Sequence, residues 1–183
     1  IYFVTISKQE IMTIAKQINL AGYIDLIQNL NVNRRSTKLA PHKAILLLSV
    51  IDLIEEGIIS TPFVSLSEEL THTFKVNWNR YVPPSSVFSC KLNYPFFHLS
   101  SSPFWKLEKL PSYEEKKVYS MSALKHSFSG ATISQELFNL LQHPDSRGKI
   151  KATLIATYLS NDTTGTNLNS YTLLLGLCLL FVA

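Results

Sequence analysis

Residues 40–57 read APHKAILLLSVIDLIEEG, a proline followed by a long apolar run. Pro41 favours the first turn of a helix, because a helix leaves that backbone N–H unpaired in any case. Residues 44–54 are apolar on nearly every side, which is typical of a buried helix. Gly57 predicts a left-handed cap at the end of that helix. This block therefore predicts a central, buried helix.

A second block, YPFFHLSSSPFWKL at residues 94–107, carries aromatic residues on both sides of a polar turn. Its pattern predicts two strands, at residues 94–99 and 104–107, joined by that turn. Between the two blocks, Ser67 is followed by two glutamates and predicts the N-cap of a helix that reaches about Trp78.

Helical spacing of apolar residues predicts further helices on either side of these blocks. They cover residues 21–30, 134–142 and 145–159. We divide the chain into a lead-in helix at 1–20, a domain at 21–160 and an apolar tail at 161–183. Together the elements predict an α+β fold, with helices packed around a small antiparallel sheet.

The apolar part of the tail, Tyr171–Ala183, spans 13 residues. A membrane helix needs roughly 20, so we expect no membrane partner. A buried element and a non-native segment both remain open for this tail, and we favour the second. A protein that uses the tail as an anchor or interaction segment is the weakest functional alternative.

The composition describes a globular chain of 183 residues, of which 46% are apolar and 16% charged. Its two cysteines, Cys90 and Cys178, have no CxxC spacing, which argues against a zinc site or a disulfide scaffold and fits a reducing cytosol. Ile1 to Ile6 are apolar but show neither a basic n-region nor a long h-region, so we expect no secretory signal. We therefore expect a cytoplasmic protein.

The distribution of charge is more informative than the net charge of +4. No acid lies between Asp25 and Asp52, and none lies between Glu69 and Glu108. Both segments carry basic residues, which are Arg34, Arg35, Lys38, Lys43, Lys75, Arg80, Lys91 and Lys106. Folded together they predict one positive face for a phosphate backbone, although a solvated loop surface explains the charges equally well.

The Pro41-His42-Lys43 sequence predicts an anion site. A helix N-terminus presents unpaired N–H groups and about half a positive charge, to which Lys43 and a protonated His42 would add. Arg34 and Arg35 precede the helix by a short loop and are suited to clamp a neighbouring phosphate. The alternative is a solvated lysine and a histidine that serves only in packing.

The aromatic block favours nucleic acid more weakly. Residues 70–107 hold nine of the chain's twenty aromatic residues, interleaved with basic ones. As a strand, residues 94–99 would place Tyr94 and Pro95 on opposite faces, and an exposed ring beside a proline makes a small apolar concavity. A well-packed aromatic hairpin is the alternative. No HExxH, GxSxG, P-loop or GxGxxG motif occurs, so we assign no catalytic residue and no metal ligand.

These blocks together resemble a known family. The series at residues 40–57, the run from Phe74 to Trp78, and residues 94–107 occur in the order found in one type of domain. It is the N-terminal sulfur-binding head of HNH restriction endonucleases that recognise phosphorothioate-modified DNA. Residues 136–159 are similar to the closing helices of that domain.

The resemblance implies a winged-helix-like DNA-binding domain with double-stranded, phosphorothioate-modified DNA as its partner. By analogy, His42 and Lys43 would line the modified phosphate, Tyr94 and Pro95 would form an apolar cup for sulfur, and Arg35 would grip the backbone. The residues that border this site would be His98, Ser100 and Ser101. Further backbone contacts would come from Lys125 and His126.

Two departures from the family qualify this interpretation. A basic residue is expected at the position of Ser100, so one DNA contact is missing. No HNH motif follows the domain, so we expect binding without cleavage, and no cofactor in this chain; a divalent metal would belong to the missing nuclease. The alternative is a general DNA-binding protein or a winged-helix regulator, in which the helix from Ser67 to Trp78 reads the major groove and the 94–107 hairpin is the wing.

Overall fold

Helix α2, His42–Glu55, is the central element of the computed structural model, which describes residues 8–35, 38–111, 113 and 120–160. Eleven of its 14 residues are buried, because α2 is apolar on nearly every side and other helices surround it. Gly57 follows α2 with a φ of +73°, a conformation that glycine adopts without steric cost. The predicted buried helix and its left-handed cap are both confirmed.

The described part of the chain has six further α-helices, of which the third, fourth, sixth and seventh in chain order pack directly against α2. They are α1 Lys8–Gln28, α3 Glu68–Tyr81, α4 Asn93–His98, α5 Met121–Ser127, α6 Gln135–Gln142 and α7 Pro144–Tyr158. Ser67 Oγ accepts a hydrogen bond from the N–H of Leu70 at 3.2 Å, so the predicted N-cap of α3 is confirmed. The predicted break between α6 and α7 at residues 143–144 is also confirmed. Helix α1 continues across residue 20 without interruption.

A small antiparallel sheet covers one side of the helices. Its strands are β3 Phe63–Ser65, β4 Trp105–Lys109 and β5 Phe128–Ile133, in the order β3-β5-β4. Two further strands of two residues each, β1 Arg34–Arg35 and β2 Lys38–Leu39, pair antiparallel before α2. The α+β fold with helices around a small antiparallel sheet is therefore confirmed, although the sequence did not predict β5.

Gly130 in β5 permits the close approach of β3. A Cβ atom at this position would lie 2.5 Å from the ring of Phe63 and 2.5 Å from the carbonyl oxygen of Val64. Only glycine fits in that space without moving the neighbouring strand.

The prediction of a strand at residues 94–99 is wrong, because these residues form α4 and the start of a 3₁₀ turn, Leu99–Ser101. Pro95, Phe96 and Leu99 are buried, a spacing that matches one face of a helix. Trp105 fixes this helix to the sheet, since its Nε1–H donates to the carbonyl of Phe96 at 3.0 Å. The 94–107 hairpin that would have served as a wing is therefore absent, and β4 alone matches the second predicted strand.

Side-chain bonds attach α7 to both α2 and α1. Lys151 Nζ lies 2.7 Å from Asp52 and 2.9 Å from Glu55 of α2. The Tyr158 hydroxyl shares its proton between the carbonyls at the end of α1, those of Ile27 at 2.8 Å and Gln28 at 2.9 Å. These bonds close the bundle around α2.

The apolar tail at 161–183 lies outside the described residues, so the expectations for it have no structural counterpart. Within the described ranges, no helix combines the length and apolar character needed to cross a membrane.

Candidate nucleic-acid interface

The N-terminus of α2 carries no side-chain cap and no acidic residue in its first turn. Pro41 precedes this turn and is buried. The unpaired N–H groups of this turn give the site a partial positive charge. His42 and Lys43 both project from this turn, as the sequence predicts.

Lys43 is buried, with 7% of its surface exposed. Its ammonium donates to Ser101 Oγ at 3.0 Å, and Ser101 Oγ donates in turn to the carbonyl of His98 at 3.0 Å. Burial lowers the pKa of Lys43 below 10.5. Among the described residues Lys43 forms no ion pair. Because Lys43 is buried, the alternative of a solvated lysine is excluded. A buried ammonium whose one partner is neutral is strongly stabilised when an anion binds beside it.

His42 is held on two sides. Its ring packs against Trp78 at 4.8 Å and against Phe88 at 5.7 Å between centroids. Its Nε2 lies 2.8 Å from the carbonyl oxygen of Ser89, which only accepts hydrogen bonds, so Nε2 carries the proton. Burial lowers the pKa of His42 below 6.5, the Ser89 bond opposes this shift, and Arg35 adds to it. The lowered pKa favours the neutral form of His42, which argues against the expected second positive charge.

The two arginines of the β1 strand differ in their contacts. Arg35 Nη1 donates to the carbonyl of Val87 at 3.0 Å, and its guanidinium carbon lies 5.7 Å from the centre of the Phe88 ring. Arg34 is exposed, and its side chain makes no hydrogen bond or ion pair with another described residue. Arg34 is thus free to take a phosphate, whereas Arg35 already holds the loop of residues 83–92.

Helix α4 carries the predicted cup residues. Tyr94 is half-buried, and the ammonium of Lys91 lies 5.6 Å from the centre of its ring. Pro95 is buried in the first turn of α4, where a proline is tolerated. Tyr94 therefore offers most of the apolar surface at this position, and the Pro95 ring offers little.

The remaining predicted residues follow α4. His98 is exposed, and partial burial and the charge of Lys43 lower its pKa below 6.5. Ser101 contacts Lys43 directly, whereas Ser100 Oγ donates to the carbonyl of Phe97 at 2.7 Å within its own turn. The structure therefore joins His98 and Ser101 to the α2 site and gives Ser100 only a local bond. Lys125 and His126 are exposed in the last turn of α5, which packs against α4.

The sequence did not single out two contributors to this surface. Phe88 and Ser89 lie in the loop between α3 and α4, which shows no apolar period, and Lys91 of the same loop was predicted only as part of the positive face. The available signal was that this loop belongs to an acid-free segment containing an aromatic and a basic residue. We call the surface formed by β1, the first turn of α2, this loop and α4 the α2 N-terminal face.

The opposite end of α2 has the opposite character. Two open grooves there have volumes of about 320 and 310 Å³. Their walls carry Glu56, Glu68 and Glu69 among apolar side chains, and neither wall contains lysine or arginine. Since α2 has 14 residues, it separates this acidic end from the α2 N-terminal face by about 20 Å. Lys151 and Arg147 of α7 pair with Asp52 and Glu55 at this end, so the unpaired negative charge there is that of the glutamates of the grooves. Of the two ends of α2, the N-terminal face is the one suited to a phosphate backbone.

Two observations concern chemistry other than phosphate binding. Cys90 is exposed, but partial burial of its thiol raises the pKa of that group. An activated cysteine nucleophile needs a lowered pKa, so Cys90 lacks this feature. In the part of the chain that the structure describes, no group of three or more His, Cys, Asp and Glu side chains is placed to hold a metal ion.

An α+β domain with unpaired cations at a helix N-terminus is typical of domains that bind nucleic acid through its phosphates. The chain belongs to the family of ScoMcrA-like DNA sulfur-binding domains, whose sequence model matches residues 21–173. The resemblance to sulfur-binding domains is thereby confirmed.

Comparison with solved structures supports the same fold. The sulfur-binding domain of SprMcrA complexed with phosphorothioated DNA matches with a TM-score of 0.58, over 78% of this chain and 86% of that chain. The two sequences are 16% identical, so the match is evidence for a shared fold. No curated protein matches the chain significantly.

Proposed function

We propose that this chain is a DNA-binding module that recognises a phosphorothioate in double-stranded DNA. The observation that carries the proposal is the buried Lys43 ammonium, which has no anionic partner among the described residues and lies in the first turn of α2. A DNA phosphate supplies the missing anion, and the N–H groups of the same turn add to its binding. Membership of the DNA sulfur-binding family supports this ligand.

Sulfur selectivity is proposed to come from α4. A non-bridging sulfur is larger and more polarizable than oxygen and accepts hydrogen bonds poorly. Such an atom prefers an aromatic or aliphatic neighbour to a polar one. Tyr94 and the edge of Pro95 are the apolar groups we assign to it, and His42 completes the wall with its neutral ring. The structurally similar SprMcrA domain is complexed with phosphorothioated DNA, which supports sulfur-containing DNA as the ligand.

The flanking phosphates are assigned to the basic residues around this point. Arg34 lies on β1 before α2, and His98 lies with Ser100 and Ser101 on the turn after α4. Arg35, which the sequence also suggested for the backbone, is already bonded to the loop of residues 83–92 and is not assigned a phosphate. Such contacts fix register on the duplex without reading sequence. We further propose that the module serves a modification-dependent restriction endonuclease in the cytoplasm, with the HNH nuclease and its divalent metal outside this chain.

The test is a polarization titration at one fixed salt concentration with EDTA present, since binding is proposed to need no metal. Three duplexes are compared, which differ only at one phosphate: unmodified, or carrying sulfur in either configuration. A tenfold preference for one sulfur duplex, about 1.4 kcal/mol, would support the proposal. Equal binding to all three duplexes would reduce the chain to a general DNA-binding protein.

A further inference from the structure

We propose that Arg35 is a positioning residue, which holds the loop of residues 83–92 against α2 and shapes the sulfur site through Phe88, instead of binding a phosphate itself. This inference rests on the proposed function and assigns Arg35 a different role from the backbone grip expected from the sequence.

The loop is held at three consecutive residues. Arg35 donates to the carbonyl of Val87, and His42 donates to the carbonyl of Ser89. Between them the Phe88 ring lies beneath the Arg35 guanidinium and edge-on to the His42 ring. Arg35 before α2 and His42 within it thus fix the carbonyls of Val87 and Ser89, together with the Phe88 ring between them.

The loop has few other bonds to the rest of the domain. Pro83 and Pro84 lie at its start, and these residues donate no backbone hydrogen bond. Within the loop, Ser86 N–H donates to the Pro83 carbonyl and Phe88 N–H donates to Ser86 Oγ, and neither bond leaves the loop.

The last residue of the loop, Leu92, is buried, and its carbonyl accepts a hydrogen bond from Phe96 N–H of α4. The bonds from Arg35 and His42 therefore join the preceding part of the loop to β1 and α2.

The loop leads directly into the proposed sulfur site. It ends at α4, whose second and third residues are Tyr94 and Pro95, and it carries Lys91, whose ammonium lies over the Tyr94 ring. A shift of the loop relative to α2 therefore changes the distance between Tyr94 and the buried ammonium of Lys43. Sulfur selectivity depends on that distance, because the same phosphate must reach both groups.

Arginine suits this position chemically. A guanidinium is planar and can donate from its edge while its charge lies over an aromatic ring, and Arg35 donates to Val87 with its guanidinium carbon 5.7 Å from the centre of the Phe88 ring. A lysine ammonium keeps the charge but cannot make both contacts in this geometry. Arginine is therefore required for positioning, whereas either residue would serve as a phosphate contact.

The first experiment measures the loop in the free protein, in a Cys178→Ser background that leaves Cys90 as the sole cysteine. Cys90 lies in the loop and is exposed, so its rate of reaction with a maleimide reports how the loop is held. We expect Arg35→Lys to accelerate the reaction at least about threefold, because a released loop loses the partial burial that still shields the thiol and disfavours the thiolate. Arg34→Lys, the matched control on the same strand, should leave the rate unchanged. An unchanged rate in Arg35→Lys would overturn the proposal.

The second experiment measures DNA binding with the same variants. We expect Arg35→Lys and Phe88→Leu each to reduce the preference for the sulfur duplex by about threefold or more, and the double variant to reduce it no further, since both residues act through one contact. In Arg35→Ala the salt slope should stay at the wild-type value. A slope lowered by about one unit in Arg35→Ala, with the sulfur preference intact in Arg35→Lys, would show a direct phosphate contact and refute the inference.

The two experiments separate this inference from the proposed function. If the wild-type protein shows no sulfur preference, the proposed function fails, and the Cys90 rates still decide whether Arg35 holds the loop. If the wild type prefers sulfur but Arg35→Lys keeps both the preference and the slow Cys90 reaction, only the positioning role fails. Thermal midpoints of every variant verify that folding is retained.

Discussion

The Lys43 ammonium donates a hydrogen bond to Ser101 Oγ at 3.0 Å, which joins the first turn of α2 to the turn that follows α4. An ammonium has three N–H donors, and the other two have no hydrogen-bond partner among the described residues. Ser101 directs its own proton to His98 and so offers Lys43 a lone pair. The bond thus aligns the ammonium at the helix N-terminus and leaves donors for an incoming phosphate.

Replacing Lys43 with methionine should weaken DNA binding and leave the fold intact. We expect weaker binding to modified and unmodified duplexes alike, and a salt slope that falls by about 0.9 unit, because one phosphate contact is lost. Stability should rise by about 1 kcal/mol, because methionine fills the space without a buried charge. Urea unfolding and titrations at several salt concentrations measure the two effects.

Lys149→Met is the matched control, since it removes the same charge from an exposed position on α7. It should leave both the salt slope and the stability close to the wild-type values. Equal reductions of the slope in the two variants would mean that net charge, and not the position of Lys43, determines affinity.

Tyr94→Leu and Pro95→Ala should reduce the sulfur preference with little effect on binding to ordinary DNA. The loss should be about 0.3–1.5 kcal/mol, the range for sulfur contacts with aromatic groups. Alanine is the appropriate replacement for Pro95, because the residue lies in the first turn of a helix that glycine would loosen. Parallel titrations with modified and unmodified duplexes measure the ratio.

Phe63→Leu is the control for this pair, because it changes an exposed ring on β3 outside the α2 N-terminal face. Its ratio of affinities for the two duplexes should equal that of the wild type. If Tyr94→Leu and Pro95→Ala also keep the wild-type ratio, the sulfur contact lies elsewhere on the domain.

His98 should make the folded protein less stable in mild acid. Its pKa in the folded state lies below 6.5, owing to partial burial and to the charge of Lys43. As the pH falls, the unfolded chain binds this proton first, so stability is lost from about pH 7 downward until the folded-state pKa is passed. His98→Gln removes the site, and its thermal midpoint should fall less than that of the wild type between about pH 7.5 and pH 5.

The comparison at about pH 8 is the internal control, because the imidazole is neutral in both states there and the linkage contributes nothing. The difference between the two midpoints should therefore be a constant offset above pH 7. A difference that does not change on acidification would contradict the assignment to His98.

Helices α2 and α4 show how much of this fold can be predicted from the sequence. Proline, a long apolar run and glycine define α2 without ambiguity, because its length and termini agree. The segment from 94 to 99 is too short for its apolar pattern to distinguish a strand from a helix. A six-residue helix is unstable alone, so tertiary contacts such as the bond from Trp105 to Phe96 decide its conformation.

The site shows the same division between local and distant information. The anion-binding turn at His42 and Lys43 could be predicted, since proline and basic residues at a helix start are a local signal. Arg35 and Val87 are in contact although they are separated by 52 positions in the sequence, and His42 and Ser89 by 47 positions. No periodicity connects such positions, so the loop of residues 83–92 emerged as part of this face only in three dimensions.

The hydroxyl of Tyr158 should prove a major source of stability away from the site. It shares its proton between the last carbonyls of α1 and accepts a hydrogen bond from the buried N–H of Leu30 at 3.1 Å. Tyr158→Phe leaves that N–H without a partner, so the free energy of unfolding measured in urea should fall by about 1–3 kcal/mol.

Tyr81→Phe is the control, because the Tyr81 hydroxyl makes no hydrogen bond to another described residue, and it should change the free energy of unfolding little. DNA affinity measured well below the unfolding midpoint should be unchanged in Tyr158→Phe, because the hydroxyl acts on the α1–α7 contact and not on the α2 N-terminal face; a weakened affinity at full folding would place α1 in the binding surface.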